Sequence, residues 1–338
     1  MKKDTIFMHM SDGQKIVVHR WMPDKKTSVI GLVQLSHGMI EYAMRYNEFG
    51  EALANAGFVL YAHDHRGHGE TAGSPENLGY LANVDGFQRV VLDLREVTKR
   101  LKTDFPGKKT YLFAHSFGSF VGQSFIQQFS HDIDGAILCG TSGPKGAAVI
   151  GGKIVVNILK IFGGKKRRSK LVKNMSFAGY NSHFPKEEGS TAWQTRDREL
   201  MKKEEGNIYS SFTPTLAFYL DLFDGLSRIH RKDALKNLSL SFPVYFIVGS
   251  EDPVGNYAKS VRQLVEIYKN KGMTEIEYKE YPGARHELLN ETNRGEVLAD
   301  IFAWLNKELQ RNKLDVPKET KHEDEVEAVN PIPEGLEL

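Results

Sequence analysis

The feature that most constrains this chain is an alternation of short, wholly apolar runs with amphipathic ones, interrupted once. Val29 to Leu35, Phe58 to His63, Tyr111 to Ala114, Gly135 to Cys139 and Pro243 to Val248 are rich in β-branched and aromatic residues and read as strands. Helical spacing separates them. Tyr46, Phe49, Gly50 and Leu53 recur at i, i+3, i+4 and i+7, and Val84 to Thr103 carries Val90, Val91, Leu94, Val97 and Leu101 on one face. Further helices are expected at Phe117 to Phe129, at Tyr257 to Asn270, and around Val297, Ile301, Trp304 and Leu305. A strand with no polar side must be covered on both faces, so the pattern implies an α/β fold with a mostly parallel central sheet between two helical layers. Thr5 to Met10 and Lys15 to Trp21 add strands before it, and Glu275 to Glu280 adds one near its end.

After Cys139 the rhythm breaks for roughly a hundred residues rich in Lys, Arg, Ser and aromatics, so residues 142–240 read as an insertion. The core is then expected in two parts, 1–141 and 241–312, followed by a solvated acidic tail at 313–338 with too few large apolar residues to pack. That tail holds 3 basic and 8 acidic residues against a whole-chain formal charge of +2, which leaves the body at a mild +7. With no stacking aromatics inside a basic stripe, no nucleic-acid partner is expected. A single cysteine, Cys139, has no partner for an internal disulfide, and the N-terminal MKKDTIFMHMSDGQK lacks the apolar stretch of a secretory leader. A cytoplasmic location is expected. The longest apolar run, Ala147 to Phe162, is broken by Lys153, Asn157 and Lys160, too early for a membrane span.

Chemistry concentrates where predicted strands end. Tyr111 to Ala114 runs into His115-Ser116-Phe117-Gly118 and then a helix, the layout of a nucleophile on a strained strand-to-helix turn with small neighbours two positions away. Ala114 stands where glycine is usual, and it is still small. Gly31 to Leu35 ends in Ser36-His37-Gly38-Met39, where the backbone amides of Met39 and Phe117 are the candidates for a pair of oxyanion donors. His37 and Gly38 are expected to support that loop, with His37 tying loop carbonyls rather than moving protons. Asp252 follows the strand that ends near Val248, and His286 follows the one that ends near Glu280. The order Ser116, Asp252, His286, each past a strand's C-terminal end, is that of an α/β-hydrolase triad. Glu251 is the rival acid, but the Asp252-Pro253 turn favours Asp252, and Glu287 reads as a solvated or hydrogen-bonding neighbour. Cys139 reads as a buried small hydrophobe. His63, Asp64, His65 and His68 crowd one loop without a second ligand group at metal spacing, so a structural loop is expected there and no metal site.

Taken together, Ser36-His37-Gly38, the loop Ala62 to Gly69, His115-Ser116-Phe117-Gly118, Asp252-Pro253-Val254 and Gly283 to Glu287 resemble the monoacylglycerol lipase and lysophospholipase branch of the serine α/β-hydrolases, akin to the S33 serine aminopeptidases. The likeness spans about residues 10 to 310 and is loosest in the insertion. It implies that the insertion is a helical cap over the site, that no cofactor is needed, and that the substrate is a small acyl ester such as a glycerolipid. Ala114 and Ser119, where glycine is common, bear on substrate fit. A cap of this kind is expected to line an acyl channel with residues such as Val149, Ile150, Ile154, Phe162, Phe212, Leu216 and Phe218. Alternatives of the same fold are a broad short-acyl carboxylesterase and a serine aminopeptidase; a noncatalytic binding module would need none of the triad. The run Lys165, Lys166, Arg167, Arg168, Ser169, Lys170 beside the apolar stretch reads as a solvated loop or as a peripheral contact with an anionic membrane.

Overall fold

The computed structural model describes residues 1–311, and the acidic tail expected at 313–338 lies outside the described residues. In chain order the elements are β1 (Lys2–His9), β2 (Lys15–Met22), β3 (Gly31–Ser36), α1 (Asn47–Asn55), β4 (Phe58–His63), α2 (Gly86–Asp104), β5 (Thr110–His115), α3 (Phe117–Phe129) and β6 (Gly135–Cys139). Then come α4 (Gly146–Ile161), α5 (Lys170–Ser176), α6 (Arg198–Glu204), α7 (Ile208–Ser211), α8 (Leu216–Ile229) and α9 (Lys232–Leu235). The chain closes with β7 (Val244–Gly249), α10 (Lys259–Asn270), β8 (Ile276–Tyr281) and α11 (Arg294–Gln310).

The eight strands form one sheet in the order β1-β2-β4-β3-β5-β6-β7-β8. The β1/β2 and β2/β4 pairs are antiparallel, and every pair from β4/β3 onward is parallel. This is the α/β-hydrolase fold. Alternation along each strand divides the core between the two faces. On β5, Leu112 and Ala114 face the layer that includes α2, α3 and α8, whereas Tyr111 and Phe113 face α1 and α11. β6 and β7 repeat the division, with Leu138 and Phe246 on the first face and Ile137 and Ile247 on the second. Fully apolar strands are therefore what two helical layers require.

Helix boundaries follow local chemistry. The helix expected from Val84 starts at Gly86, because the Asp85 side chain accepts the Gln88 amide and caps it; Val84 is left exposed. The helix expected from Tyr257 starts at Lys259, since Asn256, Tyr257 and Ala258 all have positive φ. Residues between β6 and β7 supply α4 to α9, and they are joined to the core by specific contacts. The Arg168 guanidinium donates to the carbonyls of Thr213, Pro75 and Glu76, and Lys165 Nζ donates to Asn83. Part of the basic run thus ties this segment to the loop after β4. No described helix is long and apolar enough to cross a membrane.

Candidate active site

Parallel register brings four strand ends to one edge of the sheet. Ser36 pairs with Ala114, His115 with Cys139, and Gly249 with Tyr281, so the segments after β3, β5, β7 and β8 leave side by side. Ser116 sits between β5 and α3 with φ 53° and ψ −120°, a region that a residue with a side chain enters only when its surroundings force it. The surroundings are tight: a side chain on Gly118 would run into the carbonyls of Ser36 and His37. Gly122 packs against Ala114 with no spare space, so the alanine at that position still permits the close approach of helix and strand.

His286 Nε2 lies 2.8 Å from Ser116 Oγ, and its Nδ1 lies 3.0 Å from Asp252 Oδ2. Asp252 is fully buried, and its other oxygen accepts the Val254 amide at 2.8 Å. The turn after β7 thus aims Asp252 inward, with the neighbouring Glu251 only half-buried. Met39 and Phe117 both line the cavity beside Ser116, and among the described residues neither amide donates to another protein group. His37 is buried, its Nδ1 paired with the Gly38 carbonyl at 2.8 Å and its Nε2 accepting the His65 amide at 3.0 Å. It ties one loop carbonyl and one loop amide.

Several residues that sequence reasoning passed over meet here. Glu41 is buried and accepts from the Gly38 amide, from Tyr46 Oη at 3.0 Å, from His115 Nδ1 at 3.0 Å and from Arg45 Nη1 at 3.1 Å. Arg45 continues as a two-pronged donor to both oxygens of Glu287, at 3.0 and 2.8 Å. Glu287 is therefore buried and ion-paired, not solvated. Burial alone would raise the pKa of Glu41, but the charges of His115 and Arg45 hold it well below the usual carboxylate range. Burial would likewise lower His115, and Glu41 outweighs it and draws the imidazole above its ordinary value. For Glu287, Arg45 overcomes burial in the same way and keeps the carboxyl low. A signal was available: Glu41 and Arg45 lie four apart just past the strand-end His-Gly, and Glu287 adjoins His286. Trp193 and Gln194 gave none, being single residues in an irregular stretch. The Trp193 ring sits 5.0 Å from that of His286, and the Gln194 carbonyl accepts the Glu287 amide at 2.7 Å.

The cavity above Ser116 has a volume of about 730 Å³. Its polar lining includes Glu41, Arg45, Gln194 and Glu287, and its apolar lining Val149, Val155, Val156, Val172, Phe177 and Leu222. Of the residues expected to line an acyl channel, only Val149 does so. Ile150, Ile154 and Phe162 are exposed at 63%, 57% and 78%, because the helix turns that stripe outward. Leu216 and Phe218 are buried in the core, where Phe218 packs on Phe117, and Phe212 meets His68 at ring edge. Lys145, which opens α4, lines the cavity and donates to the Val254 carbonyl at 2.9 Å; burial lowers its pKa.

His63, His65 and His68 are fully buried and packed ring against ring, and burial pushes His63 and His68 down to about 3. Among the described residues no group of three or more His, Cys, Asp or Glu is arranged to hold a metal ion. Cys139 is buried on β6 among apolar neighbours, and burial raises its thiol.

The sequence profile described as serine aminopeptidase, S33 matches residues 27–293. The chain belongs to that family. Relatives of this S33 hydrolase include a monoacylglycerol lipase from Mycolicibacterium smegmatis, 26% identical over 87% of this chain and 93% of the relative. The monoglyceride lipase of Homo sapiens is 25% identical over 88% of this chain and 87% of its own length. Among solved structures, a thermostable carboxyl esterase from Bacillus coagulans superposes on the S33 chain with a TM-score of 0.83 at 24% identity, covering 91% of this chain and 99% of that one. A soluble variant of monoglyceride lipase from Saccharomyces cerevisiae superposes with a TM-score of 0.72 at 20% identity, covering 91% and 96%. At these identities the superpositions speak for the fold.

Proposed function

We propose that the chain hydrolyses carboxylic esters of glycerolipids, of the monoacylglycerol or lysophospholipid class, through an acyl-enzyme on Ser116. The observation that carries this reading is the unbroken hydrogen-bonded line Ser116–His286–Asp252 at a cavity lined by both apolar and polar residues. A long acyl chain suits the former and a hydroxylated or phosphorylated alcohol the latter. In the first half-reaction Ser116 Oγ bonds to the ester carbonyl carbon while its proton passes to His286 Nε2. The amides of Met39 and Phe117 take up the charge on the carbonyl oxygen. As the C–O bond to the alcohol breaks, His286 returns that proton to the departing oxygen. Water then gives its proton to His286 and attacks the acyl carbon; Ser116 leaves with the proton and a fatty acid is released. Asp252 accepts from His286 Nδ1, which keeps Nε2 as the basic nitrogen and stabilises the imidazolium as it forms.

In this reading residues 142–240 are the cap over that cavity, and residues 1–141 and 241–312 the two halves of the core. The outward stripe of α4, with Ile150, Ile154, Ile158 and Ile161, continues into Phe162 and lies next in sequence to the exposed Lys165, Lys166, Arg167 and Lys170. An apolar face flanked by cations suits peripheral contact with an anionic lipid surface, each cation near it contributing about 1 kcal/mol. Arg168 is already committed to two core carbonyls, of Pro75 and Glu76, and to that of Thr213 within the cap.

The test is a competitive hydrolysis panel of monoacylglycerols, lysophospholipids, p-nitrophenyl esters of rising chain length and aminoacyl amides. Highest kcat/KM on a monoacylglycerol or lysophospholipid supports the reading; preference for butyrate or for an aminoacyl amide replaces it. Co-sedimentation with vesicles of neutral and of anionic lipid tests the surface contact, and no binding to either at low salt removes it.

A further inference from the structure

Three of the segments that meet at Ser116 send side chains into one buried cluster. The loop after β3 contributes Glu41 and Arg45, β5 contributes His115 immediately before Ser116, and the loop after β8 contributes Glu287 immediately after His286. Their side chains are only 5–6% exposed. We propose that Glu41 is a positioning residue for the oxyanion loop, and that through Arg45 and His115 it holds that loop in register with the serine turn and the histidine loop.

Glu41 Oε1 takes the Gly38 amide, so the peptide plane between His37 and Gly38 is fixed by a side chain three residues further on. Gly38 has no room to shift: a side chain there would meet the Glu41 carboxylate on one side and lie 3.0 Å from Ser116 Cβ on the other. The next peptide carries the Met39 amide, and its carbonyl, that of Gly38, is held by His37 Nδ1 at 2.8 Å, so Glu41 and His37 hold the two successive planes that lead to that donor. A donor aimed at developing charge contributes only when it points at the oxyanion, and removing one costs about 10²–10³ in kcat. Misaiming it by the loss of its anchor has the same form.

The other partners make the anchor rigid. Tyr46 Oη and His115 Nδ1 both reach Glu41 Oε1, and they lie 2.9 Å from each other. Donation to Glu41 requires the His115 proton on Nδ1, whatever charge the ring carries, and its Nε2 is buried without a partner among the described residues. The His115 ring lies 4.8 Å from that of His286, and Arg45 ties Glu41 to Glu287. Two carboxylates one ion pair apart would repel without that guanidinium, and a buried charge left unpaired is costly. The cluster is thus stable as a whole and correlates the three loops.

The inference rests on Met39 and Phe117 acting as the oxyanion donors, and the experiment separates the two ideas. Glu41→Leu and Glu41→Gln are compared with wild type for kcat and KM on a p-nitrophenyl ester, for inhibition by a trifluoromethyl ketone, whose serine adduct carries the oxyanion, and for melting temperature. Glu41→Leu is expected to lose about 10²-fold in kcat with KM within threefold, and to bind the ketone more weakly by a similar factor. Glu41→Gln, which keeps an acceptor for Gly38, is expected to recover about tenfold of that loss. A kcat within threefold of wild type in Glu41→Leu, or a loss confined to KM, overturns the inference. Should Glu41→Leu not fold, Glu41→Gln decides alone: a kcat lowered threefold or more together with weaker ketone binding supports the role, and anything less contradicts it. Failure of the underlying reading, a serine that attacks the carbonyl carbon, would appear in wild type, as no inhibition by the ketone.

Discussion

Strand β5 and helix α4 reach the same cavity, and they carry their apolar residues differently. Every residue of β5 is buried, with Leu112 and Ala114 on one helical layer and Tyr111 and Phe113 on the other. Its chemistry is displaced to its end, at His115 and Ser116. Helix α4 buries Val149 and Val156 but leaves Ile150, Ile154, Ile158 and Ile161 in solvent. A strand sandwiched between two layers has one arrangement open to it. An apolar helix laid over a cavity can face the cavity or the outside, and its sequence is apolar on both sides. In the proposed reading the core would fix where bonds are made and broken, and the cap what reaches them.

The comparison predicts effects of very different size. Ser116→Ala should lower ester turnover by roughly 10⁴ to 10⁶ while leaving circular dichroism and melting temperature unchanged, because the half-buried hydroxyl adds little packing. Asp252→Asn should cost about 10⁴ in kcat, whereas Glu251→Gln should stay within threefold, as only Asp252 reaches His286. If Glu251→Gln is the crippling change, the acid has been misassigned. Both are measured with p-nitrophenyl butyrate, which asks little of the cap.

Cap substitutions should separate substrates instead. A side chain at Gly152 would collide with the Phe223 ring, and because both residues line the cavity, the ring must shift within that lining. Gly152→Val is expected to lower kcat/KM for a dodecanoyl ester about tenfold and for butyrate less than twofold, in keeping with roughly 1–3 kcal/mol for one misfit in an apolar pocket. Equal losses on both esters would mean that the cap shapes the catalytic groups themselves. On the outer face, Ile154→Asp with Ile158→Asp should change stability by less than about 0.5 kcal/mol per site and abolish binding to anionic vesicles. A loss of melting temperature without loss of vesicle binding would make this stripe a packing surface.

The smallest effect lies at the hinge between the regions. Asp221 on α8 accepts the Gly86 amide at 3.0 Å, where α2 begins. Burial pushes its carboxyl up to about 6, against the Gly86 hydrogen bond that lowers it, and Asp85 and Asp224 add to the rise. A carboxyl whose folded pKa is raised destabilises the fold where it is ionised, so stability should increase as pH falls through about 6. Asp221→Asn keeps the acceptor and removes the charge. It should raise the melting temperature by roughly 2–4 °C at pH 8, a gain of about 1 kcal/mol, and by less at pH 5. A loss at both would mean that the ionised form is the one the hinge uses.

These contrasts also explain what could be read from the chain beforehand. The sandwiched strands and the glycine-tight serine turn obey sterics that act over a few residues, so β4, α3 and β6 fall where the pattern puts them. Asp252 and His286 were legible because each follows such a strand. Glu41, Arg45 and Glu287 were not read as a unit, because ion pairing between two loops leaves no period, and a charged residue near a loop usually means solvent. The facing of α4 was misjudged for Ile150, Ile154 and Phe162 because hydrophobicity alone does not tell a cavity from an outer surface. Trp193 and Gln194 come from a stretch whose order depends on contacts with the core.

The central claim is that the oxygen which attacks the ester belongs to Ser116. Treating the whole protein with a fluorophosphonate and mapping the adduct by peptide mass spectrometry tests it most directly. The account predicts a single phosphonyl adduct on the peptide containing Ser116, formed in step with loss of esterase activity and absent from Ser116→Ala. A wild-type protein that loses activity while the adduct sits on another residue, or that hydrolyses esters without being labelled at all, would contradict it.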